Sequence, residues 1–203
     1  MNHAQIAIPA SDSQSKAVSR ILLQVTLAIL GSMLVAVCAH VSIPLLFTPV
    51  PLTLQTFAVL LLGLTMSPAT AFAALALYLA EGAAGLPVFS PHGPGGLLQI
   101  IGPTGGYLLS YPFAAALTGF VARRLRRMSF AIYALSAALG SIVILGLGAS
   151  WLAVAAQQFP ITTLKLAVWP FLPGDALKVC AASGVAMGLQ WARNRFQSLP
   201  AIF

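Results

Sequence analysis

The chain has 203 residues, of which 59% are hydrophobic and only 6% are charged. A soluble domain carries about 25% charged residues, so this composition excludes an ordinary soluble fold and indicates that lipid surrounds the protein. The net charge of +7 does not indicate nucleic acid as a partner, because the basic residues lie beside apolar segments, as they do in membrane proteins.

The N-terminal residues 1–20 are polar and show no cleavage site beside an apolar run. We therefore expect a disordered tail rather than a signal peptide. The first apolar segment of spanning length covers residues 21–39. Regular helix is excluded in the stretch 42–51, since each of its prolines removes a backbone donor and obstructs the preceding turn.

Two shorter apolar segments follow at 53–66 and 69–84, and Ser67-Pro68 marks a tight turn between them because proline suits the first helical position. A long loop rich in glycine and proline is predicted over 85–103. The later elements are spans at 104–122, 130–152 and 172–191, with a mixed loop over 153–170 before the last span.

The basic residues fix the predicted orientation. They cluster before the first span (Lys16, Arg20), after the fourth (Arg123, Arg124, Arg126, Arg127) and after the sixth (Arg193, Arg195). Six spans place these groups on one side, which the positive-inside rule makes the cytoplasm. We predict an all-α integral protein of the cell membrane with six transmembrane helices, cytoplasmic termini, one domain over 21–195 and a short tail over 196–203.

Charged residues inside a membrane are rare and usually functional, and the candidates are Glu81, Asp175 and Lys178. Asp175 and Lys178 are three apart and therefore share a helix face. A ligand could be held there by one acceptor and one donor. The alternative is structural: Asp175 favours a helix start and Lys178 is its counter-ion. Glu81 is a weaker candidate, at the end of its span.

Polar and small residues give further candidates. Gln55 and Thr53 open the second span, where the amide either binds a polar ligand or joins two helices. The glycine-rich run before Tyr107 favours a tight turn or close packing, with Tyr107 lining a pocket. Small residues four apart, Ala28, Ser32 and Ala36, form either internal packing or a surface for a partner.

Catalysis is not indicated. The three histidines lie in the tail and the outer loops, and the sequence lacks a Gly-x-Ser-x-Gly motif and a Walker phosphate loop. Clustered metal ligands are absent as well. We therefore expect neither an enzyme nor a metal or other cofactor.

Four segments resemble the signature blocks of the BioY family. They occur in the family's order and are residues 50–63 (VPLTLQTFAVLLLG), 82–90 (GAAGLPVFS), 102–107 (GPTGGY) and 170–178 (PFLPGDALK). The resemblance implies the biotin-binding S-component of an energy-coupling factor (ECF) transporter. It also implies six helices and a site near the outer face, capped by the loop between the first two.

The resemblance assigns roles to particular residues. The family's Asp-x-x-Lys pattern matches Asp175 and Lys178, which contact the ligand, and Ser90 follows the Pro-Val-Phe block where relatives have a polar contact. Asp175 suits the N–H groups of the biotin ureido ring, whereas Lys178 suits its oxygen or the carboxylate. Apolar contacts are expected from Phe89, Tyr107, Trp169 and Phe171.

The expected partners are biotin, membrane lipids, a transmembrane coupling protein and two ATP-binding subunits; a homo-oligomer is left open. The row Ala28-Ser32-Ala36 resembles the surface that docks the coupling protein. Two alternatives stay open. One is an autonomous secondary transporter, proton-coupled through Glu81 or Asp175, and the other is a structural membrane subunit.

Overall fold

The computed structural model describes residues 10–46, 48–125, 127–155 and 168–197, which form seven α-helices, one two-stranded hairpin and one 3-10 turn. The helices are α1 Ala10–His40, α2 Gln55–Thr65, α3 Pro68–Ala83, α4 Gly96–Ile101, α5 Gly105–Arg124, α6 Phe130–Ala155 and α7 Leu172–Gln197. The strands are β1 Ser42–Ile43 and β2 Leu52–Thr53, and the 3-10 turn is Trp169–Phe171.

The proline-rich stretch is non-helical, as its sequence predicts. Strands β1 and β2 pair antiparallel, with Ser42 opposite Thr53 and Ile43 opposite Leu52. The described residues between them, 44–46 and 48–51, are neither helix nor strand, and the Leu54 amide donates to the Val41 carbonyl at 3.0 Å. This hairpin therefore folds back on itself between α1 and α2.

The turn between α2 and α3 also has the predicted chemistry. Ser67 is extended at φ −64° and ψ 148°, and its hydroxyl accepts a hydrogen bond from the Thr70 amide at 3.1 Å. Pro68 occupies the first helical position, where the missing N–H costs no helical bond. A serine cap and a proline start account for the abrupt beginning of α3.

Three expectations about boundaries were wrong. Residues 10–20, expected in a disordered tail, continue α1, because no glycine or proline interrupts a helix that the apolar part has already nucleated. Helix α7 likewise runs to Gln197, into the tail expected over 196–203.

The loop predicted over 85–103 contains α4, a short apolar helix between glycines at its two ends. Most of the loop predicted over 153–170 lies outside the described residues.

The packing between helices depends on glycines. A Cβ on Gly63 would lie 2.6 Å from the Ala115 carbonyl oxygen, and one on Gly119 would lie 2.6 Å from the Gly63 oxygen. Helices α2 and α5 therefore meet backbone to backbone, which is how helices gain contact area in lipid. Around this crossing the core includes fully buried Ala58, Val59, Ala74, Leu75 and Tyr78.

The outer surface is apolar. Helix α1 exposes a row of large aliphatic side chains, among them Ile21, Leu22, Val25, Ile29, Met33 and Val37. Two of the described helices are long and apolar enough to cross a membrane: Gln14–His40, with a mean hydropathy of 2.4, and Phe130–Ala155, with 2.2. An exposed apolar surface of this extent belongs in contact with lipid.

Replacing Gly106 by alanine should lower the unfolding temperature of the detergent-purified protein. The new Cβ would lie 2.7 Å from the Leu147 carbonyl oxygen and overlap the Trp151 side chain, so α5 and α6 must separate, at a cost of about 1–3 kcal/mol. Gly146→Ala on α6 is the matched control, because nothing lies within 4 Å of its Cβ position. Equal unfolding temperatures for both variants would contradict this packing.

Candidate ligand-binding cavity

A cavity lies at the end of the bundle formed by the hairpin, α4 and the 3-10 turn. It contains about 560 Å³ of space free of atoms, counted to its open mouth. Its wall combines apolar side chains with convergent polar groups and consists of Val50, Pro51, Thr53, Gln55, Thr56, Ser90, Gln99, Thr104, Tyr107, Leu108, Tyr111, Ile144, Leu145, Phe171, Asp175 and Lys178. This mixture is typical of sites for small organic molecules.

Asp175 and Lys178 both line this cavity from the first turns of α7. Asp175 is buried, at 7% exposure, and its Oδ2 accepts a short hydrogen bond from the Ser141 hydroxyl on α6. Oδ1 makes no hydrogen bond among the described residues. The carboxylate therefore has one oxygen held by the protein and a second that can accept from a ligand.

Lys178 is the one basic residue in the cavity wall among the described residues. Its ammonium group is near enough to Asp175 for the two charges to interact, while the hydrogen bond to the carboxylate comes from Ser141. The sequence also allowed Lys178 a purely structural role as the counter-ion of Asp175. The charge interaction fits that structural role and the shared cavity fits ligand binding, so both roles stay predictions.

Gln55 is the centre of a hydrogen-bond network beside the cavity. Its Nε2 donates to the Tyr78 hydroxyl at 2.5 Å, and its Oε1 accepts from Thr53 Oγ1 at 3.0 Å and from Tyr111 Oη at 3.4 Å. Gln55 therefore joins α2 to α3 and α5, which is one of the two roles its sequence position allowed. It also lines the cavity, so the two roles are compatible.

Two hydroxyls at the cavity have no partner. Among the described residues, Ser90 Oγ and Thr56 Oγ1 are buried side-chain atoms without a hydrogen bond, and both residues line the cavity. Nearly all buried polar groups in proteins are hydrogen-bonded. Ser42 Oγ and Thr118 Oγ1 are also buried without a hydrogen bond but lie outside the cavity wall, so these two hydroxyls are groups that a ligand can bond to rather than evidence of one.

Two of the aromatic residues expected at the site lie elsewhere. Phe89 is buried below the cavity, against Tyr78 at a ring-centroid distance of 5.3 Å, and fills the space that Gly82 leaves open. Trp169 is 73% exposed at the start of the 3-10 turn. Phe171, two residues later, lines the cavity instead, because a turn of three residues directs these side chains to different sides.

Glu81 and the small-residue row also differ from expectation. The Glu81 carboxylate accepts a short hydrogen bond from Ser32 and is not part of the cavity wall. Ser32 is fully buried between α1 and α3, so the prediction that it docks a partner was wrong and the alternative of internal packing is correct. Ala28 and Ala36 are half-buried against the core, and docking through them stays a prediction.

Several cavity residues escaped the sequence argument. Gln99 is a lone amide in the apolar helix α4, a signal that was overlooked; its Oε1 accepts from the Gly95 amide at 3.1 Å. Tyr111 lies one turn after Tyr107 on the same helix face, which also could have identified it. Thr104 lines the cavity beside the start of α5. Ser141, which bonds to Asp175 but is not part of the cavity wall, has no sequence signal, because this contact joins residues 34 apart.

The fold and the cavity together are those of a helical membrane protein with a cavity of mixed polar and apolar lining at one end of its bundle. The chain belongs to the BioY family, whose model matches residues 10–195. It is 36% identical to a probable biotin transporter BioY of Pyrococcus horikoshii, over 82% of this chain and 96% of the relative. It is also 36% identical to the biotin transporter BioY of Rhodobacter capsulatus, over 79% and 88% of the two chains.

A solved structure shares the fold. It is the crystal structure of the S-component for biotin from an ECF-type ABC transporter, which matches with a TM-score of 0.77 and covers 91% of this chain and 95% of that one. The sequence identity is 23%. The likeness therefore shows that the arrangement of helices is common to both proteins.

Proposed function

We propose that this chain is the high-affinity biotin-binding membrane subunit of a biotin uptake system. The observation that carries the proposal is the placement of Asp175 and Lys178 in one cavity with two orphaned hydroxyls. The family and the biotin transporters it contains support the identity of the ligand. On this proposal the cavity holds biotin before it is released inward.

The polar and apolar groups of biotin are complementary to those of the cavity wall. Its ureido ring carries two N–H donors and a carbonyl acceptor, its thioether ring and tail are apolar, and its tail ends in a carboxylate. Asp175 Oδ1 accepts from a ureido N–H, while Lys178 donates to the ureido oxygen or to the carboxylate. Tyr107, Tyr111 and Phe171 line the same cavity and pack on the apolar body.

The proposed topology has six spans, α1, α2, α3, α5, α6 and α7, with both termini in the cytoplasm and the cavity at the outer face. Arg123 and Arg124 lie in the last turn of α5 and Arg195 in the last turn of α7, which supports this orientation under the positive-inside rule. Helix α2 has 11 residues, roughly 17 Å. It is shorter than the hydrocarbon layer, which is acceptable because most of its residues are buried in protein.

Transport then requires energy from other subunits. On this proposal the chain has no ATP site of its own. It works with a transmembrane coupling protein and two ATP-binding subunits, as in an ECF transporter. The competing proposal is a secondary transporter that carries protons through Glu81 or Asp175. Of these two carboxylates, Asp175 lines the cavity, whereas Glu81 bonds to Ser32 outside the cavity wall.

Uptake of labelled biotin by cells that lack their own biotin transporter tests the coupling. Cells that produce this chain together with a coupling protein and both ATPases should accumulate biotin, and an inactive ATPase should abolish accumulation. An uncoupler that does not lower ATP should have no effect. Accumulation that needs no coupling protein and is abolished by the uncoupler would support the secondary transporter instead.

Replacing Ser141 by alanine should weaken biotin binding roughly fivefold, which corresponds to about 1 kcal/mol for one positioning hydrogen bond. The Ser141 hydroxyl holds Asp175 Oδ2, and its loss lets the carboxylate turn away from the ligand. Titration with biotin measures the effect. Ser136→Ala is the matched control, since that buried hydroxyl donates to the Ile132 carbonyl of its own helix. Equal affinities in the two variants would contradict the positioning role.

A further inference from the structure

A second cavity lies at the opposite end of the bundle from the biotin site. It contains about 640 Å³ of atom-free space, counted to its mouth, and lies among the C-terminal ends of α2 and α5, the start of α6 and the last turns of α7. Arg123, Arg127 and Arg193 line it, with Thr65 and Tyr133 as further polar groups. Nothing in the proposed biotin-binding function uses these residues.

The charge of this cavity is not balanced by the described side chains. Of the acids whose side chains the structure describes, Asp175 bonds to Ser141 and Glu81 to Ser32, and neither lines the cavity. Three exposed arginines that line one space attract an anion. Their planar arrays of donors match the oxygens of phosphate, with which arginine forms paired hydrogen bonds.

The surroundings of the cavity place it at the boundary of the lipid. Phe120 on α5, Phe130 on α6 and Leu189 on α7 are exposed apolar residues, each within a few positions of a cavity arginine. Trp191 is also exposed, with the Arg195 guanidinium 5.3 Å from its ring centroid. A belt of apolar and aromatic side chains directly followed by arginines is the pattern of the interface where phospholipid headgroups lie.

We propose that this basic cavity binds the phosphate of an anionic phospholipid headgroup. The lipid chains then cover the exposed apolar residues beside the cavity, while the three arginines hold the phosphate. The inference depends on the chain lying in a membrane but not on biotin as the ligand. Such a lipid would brace the ends of α5, α6 and α7 at the membrane face opposite the biotin site.

Native mass spectrometry of the full chain, loaded with equal amounts of phosphatidylglycerol and phosphatidylcholine, tests the proposal. Wild-type protein should retain phosphatidylglycerol preferentially, and Arg123→Gln and Arg193→Gln should each lower this binding roughly fivefold. Arg124→Gln is the matched control, because it removes the same charge from the next position of α5 without touching the cavity wall. It should leave the preference intact.

Equal losses in Arg123→Gln and Arg124→Gln, or no preference between the two lipids, would overturn the proposal. Displacement of phosphatidylglycerol by a polyglutamate peptide at lower concentration than the lipid would also overturn it, in favour of an acidic protein segment. Biotin titration of the same variants distinguishes a defect in the basic cavity from a defect in the biotin site. Unchanged biotin affinity in Arg193→Gln shows that a lipid defect comes from the basic cavity and that the protein is folded.

Discussion

Replacing Asp175 by asparagine is expected to raise the dissociation constant of biotin roughly 100-fold. The carboxylate is buried in the cavity wall with one oxygen held by Ser141, so a ureido N–H bonds to a charged acceptor. Loss of such a charge-assisted bond costs about 3 kcal/mol. Asparagine has a similar shape and can still accept a hydrogen bond from Ser141. The substitution therefore removes the charge and leaves the packing unchanged. Titration of the purified variant with biotin measures the change.

The control for this experiment is Glu81→Gln. Glu81 also sits at the end of a helix in the apolar bundle, but its carboxylate bonds to Ser32 outside the cavity wall. Biotin affinity should stay at the wild-type value in this variant. If Asp175→Asn bound biotin normally, or if Glu81→Gln lost as much affinity, the assignment of Asp175 to the ligand would be wrong.

Replacing Lys178 by methionine should weaken biotin binding roughly 30-fold, or about 2 kcal/mol. Methionine keeps much of the apolar stem and removes the one ammonium group in the described cavity wall. The variant leaves either the ureido oxygen or the carboxylate of biotin without its charged donor. Thermal unfolding of the ligand-free variant checks that the protein still folds without the charge that interacts with Asp175.

A neutral analogue decides which biotin group Lys178 contacts. Biotinamide lacks the carboxylate charge. If Lys178 pairs with the carboxylate, it should therefore contribute less to the binding of biotinamide than to the binding of biotin. In that case the loss in Lys178→Met shrinks when biotinamide is the ligand. A lysine that donates to the ureido oxygen gives the same loss for both ligands. Wild-type affinity for both ligands would exclude Lys178 from the site.

The sequence predicted those parts of the site that stand out against an apolar chain. Asp175 and Lys178 are conspicuous because charges are rare in lipid-embedded helices, and both line the cavity. Glu81 was conspicuous for the same reason yet bonds to Ser32 instead. The rarity of a charge shows that it needs a partner, but only the packing of α1 on α3 shows which partner it has.

Other parts of the site depend on geometry that a sequence pattern does not contain. Whether Trp169 or Phe171 lines the cavity depends on the direction in which each side chain leaves a 3-10 turn of three residues. The contact of Ser141 with Asp175 depends on how α6 packs against α7. The same limit applies to the fold: helix α4 is shorter than the span-length windows that identify helices in apolar sequences.

Titration of the detergent-purified chain with biotin shows whether the cavity beside Asp175 and Lys178 binds this ligand. Trp169 lies outside the cavity wall, so equilibrium dialysis with labelled biotin, rather than tryptophan fluorescence, measures the binding. We expect saturable binding of one biotin per chain with a dissociation constant below about 1 µM, or roughly −8 kcal/mol, and much weaker binding in Asp175→Asn. Absence of saturable binding, or equal affinity in wild type and Asp175→Asn, would show that this cavity is not a biotin site.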